Sequence, residues 1–135
     1  MIAIYLQGLL GNQLSQYAFA LSLSKKLKTS FFMDDTYQHL IINKYFELSS
    51  YSPIKSKINR FLFGKNKLVV EIENTKSYKT NSRLLDNDHC FYKGYFQSEF
   101  YFRDIYNQLK KEFQIKKSIE LMQENYSVLL TLSLY

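Results

Sequence analysis

The sequence predicts an α/β domain built on a parallel sheet, and three consecutive segments near its start carry that prediction. Residues 2–6, IAIYL, are apolar and partly β-branched, as in a buried strand, and a glycine follows closely. Apolar side chains then recur at helical spacing over residues 12–27, and residues 30–33 have the composition of a second strand. A strand, a glycine turn, a helix and a strand in this order begin a βαβ unit, whose strands lie parallel.

The helix over residues 12–27 is predicted from its apolar face. Leu14, Tyr17, Ala18 and Leu21 follow the i, i+3, i+4, i+7 spacing of one helical side. Because further apolar residues widen that side, we expect the helix to be covered on more than one face; they are Phe19, Ala20 and Leu23.

Later segments continue the alternation of strands and helices. Pro53 precedes a short predicted helix, and the polar residues 74–89 predict a connecting loop. Ser98 is expected to cap a helix with an apolar stripe formed by Phe102, Ile105, Tyr106, Leu109 and Phe113. The remaining expected elements are a helix over 54–63, strands over 67–73 and 91–96, a short helix over 118–124 and a final strand over 126–135.

Length and composition indicate one globular domain. The 135 residues are 46% apolar and 22% charged, which excludes a disordered chain. Cys90 is the only cysteine, so an internal disulfide is excluded and a reducing, cytoplasmic setting is expected. Residues 1–24 carry no charged side chain, but amides interrupt the apolar run and no basic segment precedes it, so we predict neither a signal peptide nor a membrane span.

The net charge of +6 favours anionic partners without choosing among them. Lysine pairs at 25–26, 110–111 and 116–117 lie near predicted helix ends, where cations complement the helix dipole. The charge is also compatible with peripheral contact at the inner face of a membrane. One alternative interpretation is a stand-alone basic module that binds nucleic acid or anionic glycans, although no nucleic-acid motif accompanies the lysines.

The segment GLLGNQ at residues 8–13 is the first candidate for a binding site. A glycine turn between a parallel strand and a helix lets the backbone approach a ligand and directs helix N–H groups toward it. The segment matches neither the dinucleotide pattern nor a P-loop. Asn12 and Gln13 offer donors and acceptors for a sugar, whereas the structural alternative is that the glycines only serve the turn and that Asn12 caps the helix.

Three segments in order resemble the bacterial α-1,2-fucosyltransferases. GLLGNQLSQYA at 8–18 is similar to that family's G-G-L-G-N-Q-[ML]-[FY]-Q-Y-A, YFEL at 45–48 to its F-E-L, and FYKGYFQSEFYFRDI at 91–105 to its G-Y-[FW]-Q-[SD]-x-x-Y-F. Leu9 stands where the family has a second glycine, and Ser15 where it has an aromatic residue. These departures imply a stiffer loop at residue 9 and a lost packing contact at residue 15.

The resemblance implies a GT-B-like glycosyltransferase with two Rossmann-like halves, of which residues 1–135 are the N-terminal, acceptor-side half. Such an enzyme transfers L-fucose from GDP-fucose to the 2-hydroxyl of a galactoside, without a metal or cofactor, in glycan, O-antigen or polysaccharide synthesis. It also implies a sugar-binding wall, with Asn12 as the best candidate for a positioning residue, formed by Gly8, Gly11, Asn12 and Gln13. Protein O-fucosyltransferases carry a similar turn. Tyr95 and Gln97 are weaker candidates for contact with the acceptor, and Tyr95 is equally compatible with a core position.

The donor-binding residues that the resemblance implies do not occur in this sequence. In the family, a strand leads into His-x-Arg-Arg-Gly-Asp-Tyr, whose arginine binds the GDP diphosphate. Residues 123–128, QENYSV, resemble the approach to it, but LLTLSLY follows. We therefore expect a fragment left by a frameshift or early stop, inactive alone, with its donor half absent or encoded separately; the alternative is a complete small domain that ends in a buried strand.

Other reactive side chains are weaker candidates. Asp34 and Asp35 follow the second predicted strand, where a general base can lie, but paired aspartates in a turn more often act as caps. His39, His89 and Cys90 lack metal-ligand spacing, so neither a zinc site nor a cysteine nucleophile is predicted. The catalytic base stays unassigned.

Overall fold

The computed structural model describes residues 1–64, 68–71 and 87–133, and for 126–133 it describes the backbone alone. The elements alternate between strands and helices as the sequence predicts for the first third of the chain. In chain order they are β1 (Ile2–Tyr5), α1 (Leu10–Lys26), β2 (Phe31–Asp34), α2 (Ile42–Tyr45), α3 (Pro53–Phe63), β3 (Leu68–Glu71), β4 (Cys90–Lys93), 3₁₀ turns at Glu99–Tyr101 and Arg103–Ile105, α4 (Tyr106–Glu112) and α5 (Lys117–Ser133). The predicted loop over 74–89 lies outside the described residues except at 87–89.

The four described strands form one parallel sheet in the order β2-β1-β4-β3. Ile4 of β1 pairs with Met33 of β2 on one side and with Tyr92 of β4 on the other. The predicted parallel sheet is thereby confirmed, and with its flanking helices it is compatible with a Rossmann-like α/β fold.

Helix α1 covers one face of the sheet and forms most of the core. Its buried side chains pack on alternate strand residues that point to the same face, since successive side chains of a strand point to opposite sides. Ile2, Ile4 and Tyr92 are fully buried in this cluster, and Phe19 of α1 lies edge-to-face on Tyr92 with ring centroids 5.5 Å apart. The expected wide apolar face of α1 is confirmed.

Helix α3 packs on the opposite face with a smaller contact. Phe63, its last residue, meets Phe32 edge-to-face at 5.4 Å between ring centroids. This second cluster has four buried members, which are Ala3, Phe32, Phe63 and Phe91. Most of α3 therefore lies outside the core.

The segment after β4 differs from the predicted long strand and single helix. β4 ends at Lys93 rather than at residue 96, and Phe96 has a positive φ of 53°, which an extended strand does not allow. Ser98 does cap the 3₁₀ turn at Glu99–Tyr101, because its Oγ accepts from the Phe100 N–H at 3.3 Å. The expected helix is split at Phe102, whose φ of −144° is not helical, so only α4 is a regular helix.

The predicted final strand is wrong, because the chain from 117 to 133 is the helix α5. A strand needs a hydrogen-bonded neighbour for its backbone, whereas a helix satisfies these groups within its own segment. The good helix formers at 120–124, ELMQE, extend the helix that was expected to stop at 124. The lead-in strand implied by the family resemblance is likewise helical here.

Candidate functional site

The carboxyl ends of all four parallel strands meet at one edge of the sheet, which we call the carboxyl edge. The central strands β1 and β4 are neighbours there, although the chain leaves β1 toward β2 and β4 lies on the other side. Many α/β proteins bind ligands at such a reversal of strand order. The loops after β1 and β4, residues 6–9 and 94–98, border this part of the carboxyl edge, which we call the crevice.

Gly8 has a structural reason to be glycine. Its φ is +79°, and an added Cβ would lie 2.1 Å from the Asn12 Nδ2. The Gly8 carbonyl oxygen also accepts a hydrogen bond from the Gln38 side chain. The part of the structural alternative that assigns Gly8 to the turn is therefore confirmed.

Asn12 joins the two sides of the crevice. Its Oδ1 accepts from Gln97 Nε2 at 2.8 Å, across 85 residues of sequence. Asn12 is half-buried and Gln97 is exposed, so the pair is open to solvent. The sequence-predicted candidates from the first and third motifs are thereby brought into contact.

Asn12 is not the helix cap that the structural alternative assigns to it. α1 begins at Leu10, so Gly11, Asn12 and Gln13 belong to its first turn, and Leu9 is the N-cap. The N-cap Leu9 makes no side-chain hydrogen bond to the first N–H groups of α1, and such groups at a helix start can donate to an oxygen ligand. Position 9 does not require glycine, because the φ of Leu9 is −90° and its side chain is exposed.

Gly11 faces open space. A Cβ added there would meet no described atom within 4 Å, in contrast to Gly8. Neither a positive φ nor close packing explains this glycine, whereas close approach of a ligand to the helix start would.

Gln13 lies elsewhere than on the expected wall of the crevice. It is fully buried, and its amide binds the backbone twice, with Nε2 donating to the His39 carbonyl and Oε1 accepting from the Ile41 N–H, both at 2.9 Å. Both the donor and the acceptor of this amide bind the backbone of residues 39–41, so Gln13 stabilises the fold.

Gln16 is a supporting residue that the sequence analysis did not identify. It is fully buried, donates from Nε2 to the Gly94 carbonyl at 3.0 Å and accepts from the Gln7 N–H at 3.4 Å. It therefore fixes the loop after β1 against the loop after β4. An amide inside an otherwise apolar helix face was the available signal.

Aromatic and charged side chains extend the carboxyl edge on both sides of the crevice. The exposed ring of Tyr37 lies 5.8 Å from that of Tyr5, and the Lys93 ammonium lies 5.8 Å from the Tyr5 ring. Lys93 also pairs with Glu71 at 3.3 Å. Tyr95 is half-buried, while its neighbour Phe96 is buried and stacks on Phe19 at 3.8 Å between centroids.

Asp34 and Asp35 are held in the turn after β2. Asp34 accepts from the Thr36 N–H at 3.3 Å, and Asp35 forms an ion pair with Arg60 of α3. The Arg60 guanidinium is also 3.7 Å from Asp34. These contacts hold both carboxylates in the turn, and neither caps a helix, because α2 begins at Ile42 with Ile41 as its N-cap and no side-chain cap bond.

Among the described residues, the two histidines and the cysteine do not form a common site. His39 is exposed, and His89 packs on Phe63 with ring centroids 4.8 Å apart. Cys90 is buried, and its burial, followed by the nearby Asp88 charge, raises the pKa of the thiol. Within residues 1–64, 68–71 and 87–133, no group of three histidine, cysteine or acidic side chains is placed to hold a metal ion.

A buried carboxylate on the far side of α1 is the second feature that the sequence analysis missed. Glu112 is fully buried and accepts from the Tyr17 hydroxyl at 2.8 Å and from the Ser49 hydroxyl at 2.7 Å. The Ser50 N–H and hydroxyl donate to it as well. Burial alone would raise the pKa of Glu112, but these hydrogen bonds outweigh it and lower that pKa.

Comparison with known proteins gives no relative: no family model, no curated protein and no solved structure matches this chain. In the part of the chain that the structure describes, no helix has the length and apolar character needed to cross a membrane.

Proposed function

We propose that this chain is the acceptor-side half of an α-1,2-fucosyltransferase with a GT-B-like architecture. In this proposal the carboxyl edge holds a galactoside, and a second, donor-binding half supplies GDP-fucose and the arginine that stabilises the leaving diphosphate. The 135 residues alone bind the acceptor but transfer no fucose. The reaction uses no metal or cofactor, and the intact enzyme works in the cytoplasm on a glycan or polysaccharide precursor.

The hydrogen bond between Asn12 and Gln97 is the observation that carries this proposal. These two residues belong to the two segments that most resemble the fucosyltransferases, and they meet at the crevice where α/β proteins commonly bind ligands. An amide pair offers both donors and acceptors, which suits the hydroxyls of a neutral sugar better than it suits an anion.

The groups around the pair can complete a sugar site. The open space at Gly11 admits a ring close to the start of α1, and the N–H groups there can donate to its hydroxyls. The exposed ring of Tyr37 offers an apolar surface for one face of the sugar. Gln13 and Gln16 support the loops and take no direct part.

A ¹⁵N NMR titration of the full chain tests the acceptor site without requiring catalysis. Lactose should shift the amide signals of Gly11, Asn12 and Gln97, whereas cellobiose, a glucose disaccharide, should leave them in place. Gln97→Ala should abolish the lactose shifts, since it removes an exposed donor of the site. Gln123→Ala is the matched control, because Gln123 is an exposed glutamine of α5.

Two results would contradict the proposal. Equal shifts with lactose and cellobiose would mean that the crevice does not recognise a galactoside. Binding of an oligonucleotide that weakens steeply with salt, in the absence of lactose shifts, would favour the basic binding module.

A further inference from the structure

Helix α3 presents an apolar stripe to solvent instead of to the core. Ile54, Ile58, Phe61 and Leu62 are 72%, 52%, 86% and 64% exposed, whereas Phe63 is buried on the other side. The spacing i, i+4, i+7, i+8 places the four exposed residues on a band about 100° wide along the helix. An amphipathic helix normally turns such a band toward the protein. We therefore expect the outward apolar band of α3 to contact another apolar environment.

Cationic side chains border this band on both sides. Lys55 and Lys57 are exposed, and at about 100° per residue they fall on opposite edges of the apolar band. Arg60 lies toward the inner side and is paired with Asp35. Residues 53–63, PIKSKINRFLF, contain no acidic side chain, so the outer surface of α3 is apolar at its centre and positive at its edges.

We propose that α3 docks on an anionic lipid surface, with its apolar band among the acyl chains and its two lysines at the headgroups. A helix that lies in a membrane interface combines these features: a polar inner face, an outward apolar band and flanking cations. Lysine stems reach along apolar surface while their ammonium groups stay at the phosphates. The protein contacts the membrane peripherally in this arrangement.

The charge pattern favours lipid over a second copy of the chain. A symmetric dimer through the same band would bring Lys55 and Lys57 of both copies to one interface, where like charges repel. An anionic bilayer supplies the opposite charge at both edges at once.

The absence of tryptophan from the sequence allows a direct test. In the full chain, Phe61→Trp places a single tryptophan at the centre of the band, and Met122→Trp places one at an exposed position of α5 as the control. With vesicles of about 30% phosphatidylglycerol in phosphatidylcholine, emission of Phe61→Trp should shift to the blue and that of Met122→Trp should stay unchanged. Pure phosphatidylcholine vesicles should shift neither.

Charge variants distinguish the effect of the two lysines beside the apolar band from the effect of the net charge. Changing Lys55 and Lys57 to glutamine should weaken vesicle affinity about fivefold per lysine, whereas the same change at Lys110 and Lys111 on α4, which keeps the same net charge, should weaken it less than about twofold. Both pairs are exposed, so folding should be retained. The proposal is overturned by equal effects of the two pairs, by no spectral shift at low salt, or by a dimer in sedimentation velocity that Phe61→Glu dissociates.

Discussion

At the scale of single residues, the backbone requires glycine at position 8 of the opening motif but not at position 11. Gly8 combines a positive φ with a space that Asn12 fills, so Gly8→Ala should destabilise the fold by about 1–2 kcal/mol from the backbone alone, with displacement of Asn12 in addition. Urea denaturation measures this loss. Loss of the Gln97 contact should accompany it, because the new Cβ occupies the position of the Asn12 amide.

Gly11→Ala is the matched comparison and should act in the opposite direction. The space is open and the residue is helical, so alanine should raise the free energy of unfolding by about 0.5 kcal/mol. It should nevertheless weaken lactose binding in the NMR titration, because the methyl group enters the proposed sugar space. Unchanged lactose affinity together with higher stability would mean that Gly11 has no part in ligand approach.

Protonation of Glu112 should contribute to the fall in the free energy of unfolding at acid pH. Its pKa is lowered in the folded state, so its contribution is present above the unfolded value of about 4.3 and is lost as pH falls through the lower folded pKa. Glu112→Gln should cost about 2–4 kcal/mol at neutral pH, since charge-assisted bonds are lost in a buried place, and should flatten the dependence between about pH 5 and pH 3. Urea midpoints across that range measure both effects, with exposed Glu120→Gln as the control.

Tyr17 should contribute to a fall in the free energy of unfolding at alkaline pH. Its pKa is raised in the folded state by burial, then by the hydrogen bond to Glu112 and the Glu112 charge. The unfolded chain ionises this tyrosine near about pH 10 and the folded chain does not, so its contribution is complete below that pH and declines above it. Tyr17→Phe should therefore reduce the loss of stability between about pH 9 and pH 11, relative to the same change at exposed Tyr106.

At the scale of elements, the sequence predicts those strands and helices whose bounds depend on nearby residues. The predicted bounds of β1, α1 and β2 lie within two residues of the observed ones, because strand, turn and helix periodicities change sharply between Tyr5 and Leu10. Residues 126–135 carry no such change, and an apolar run of that length fits a strand or a helix equally well by periodicity. The Glu112 network escaped prediction because its partners lie up to 95 residues away.

A proline in α5 distinguishes the helix from the strand that the sequence predicted. Gln123→Pro should make the ellipticity at about 222 nm less negative, since proline removes a helical hydrogen bond and costs about 3 kcal/mol locally. The urea midpoint of the core should stay unchanged, because the described side chains from 120 to 125 are exposed. Gln123→Ala controls for loss of the side chain, and a large shift of the midpoint would show that residues near 123 take part in the core.

At the scale of the whole molecule, the order of the strands in the sheet could not be predicted from the sequence. Nothing in residues 30–93 predicts that β3 lies at the edge and β4 beside β1, since both segments have the apolar composition of a buried strand, although β3 is largely exposed and β4 is buried. Yet this order brings residues 12 and 97 together. The parallel sheet was predictable from residues 1–33, whereas the site required the tertiary arrangement of the second half.

The last prediction concerns catalysis by the chain as a whole. With GDP-fucose and lactose, the 135 residues should form no fucosyllactose detectable by mass spectrometry, while lactose still binds in the NMR titration. Removal of one preorganised donor at a developing charge costs about 100- to 1,000-fold in rate, and the proposal places every donor-side contact in another domain. An active α-1,2-fucosyltransferase in the same buffer is the positive control. Product from the purified chain alone would refute the division into acceptor and donor halves, and absence of lactose binding would refute the site itself.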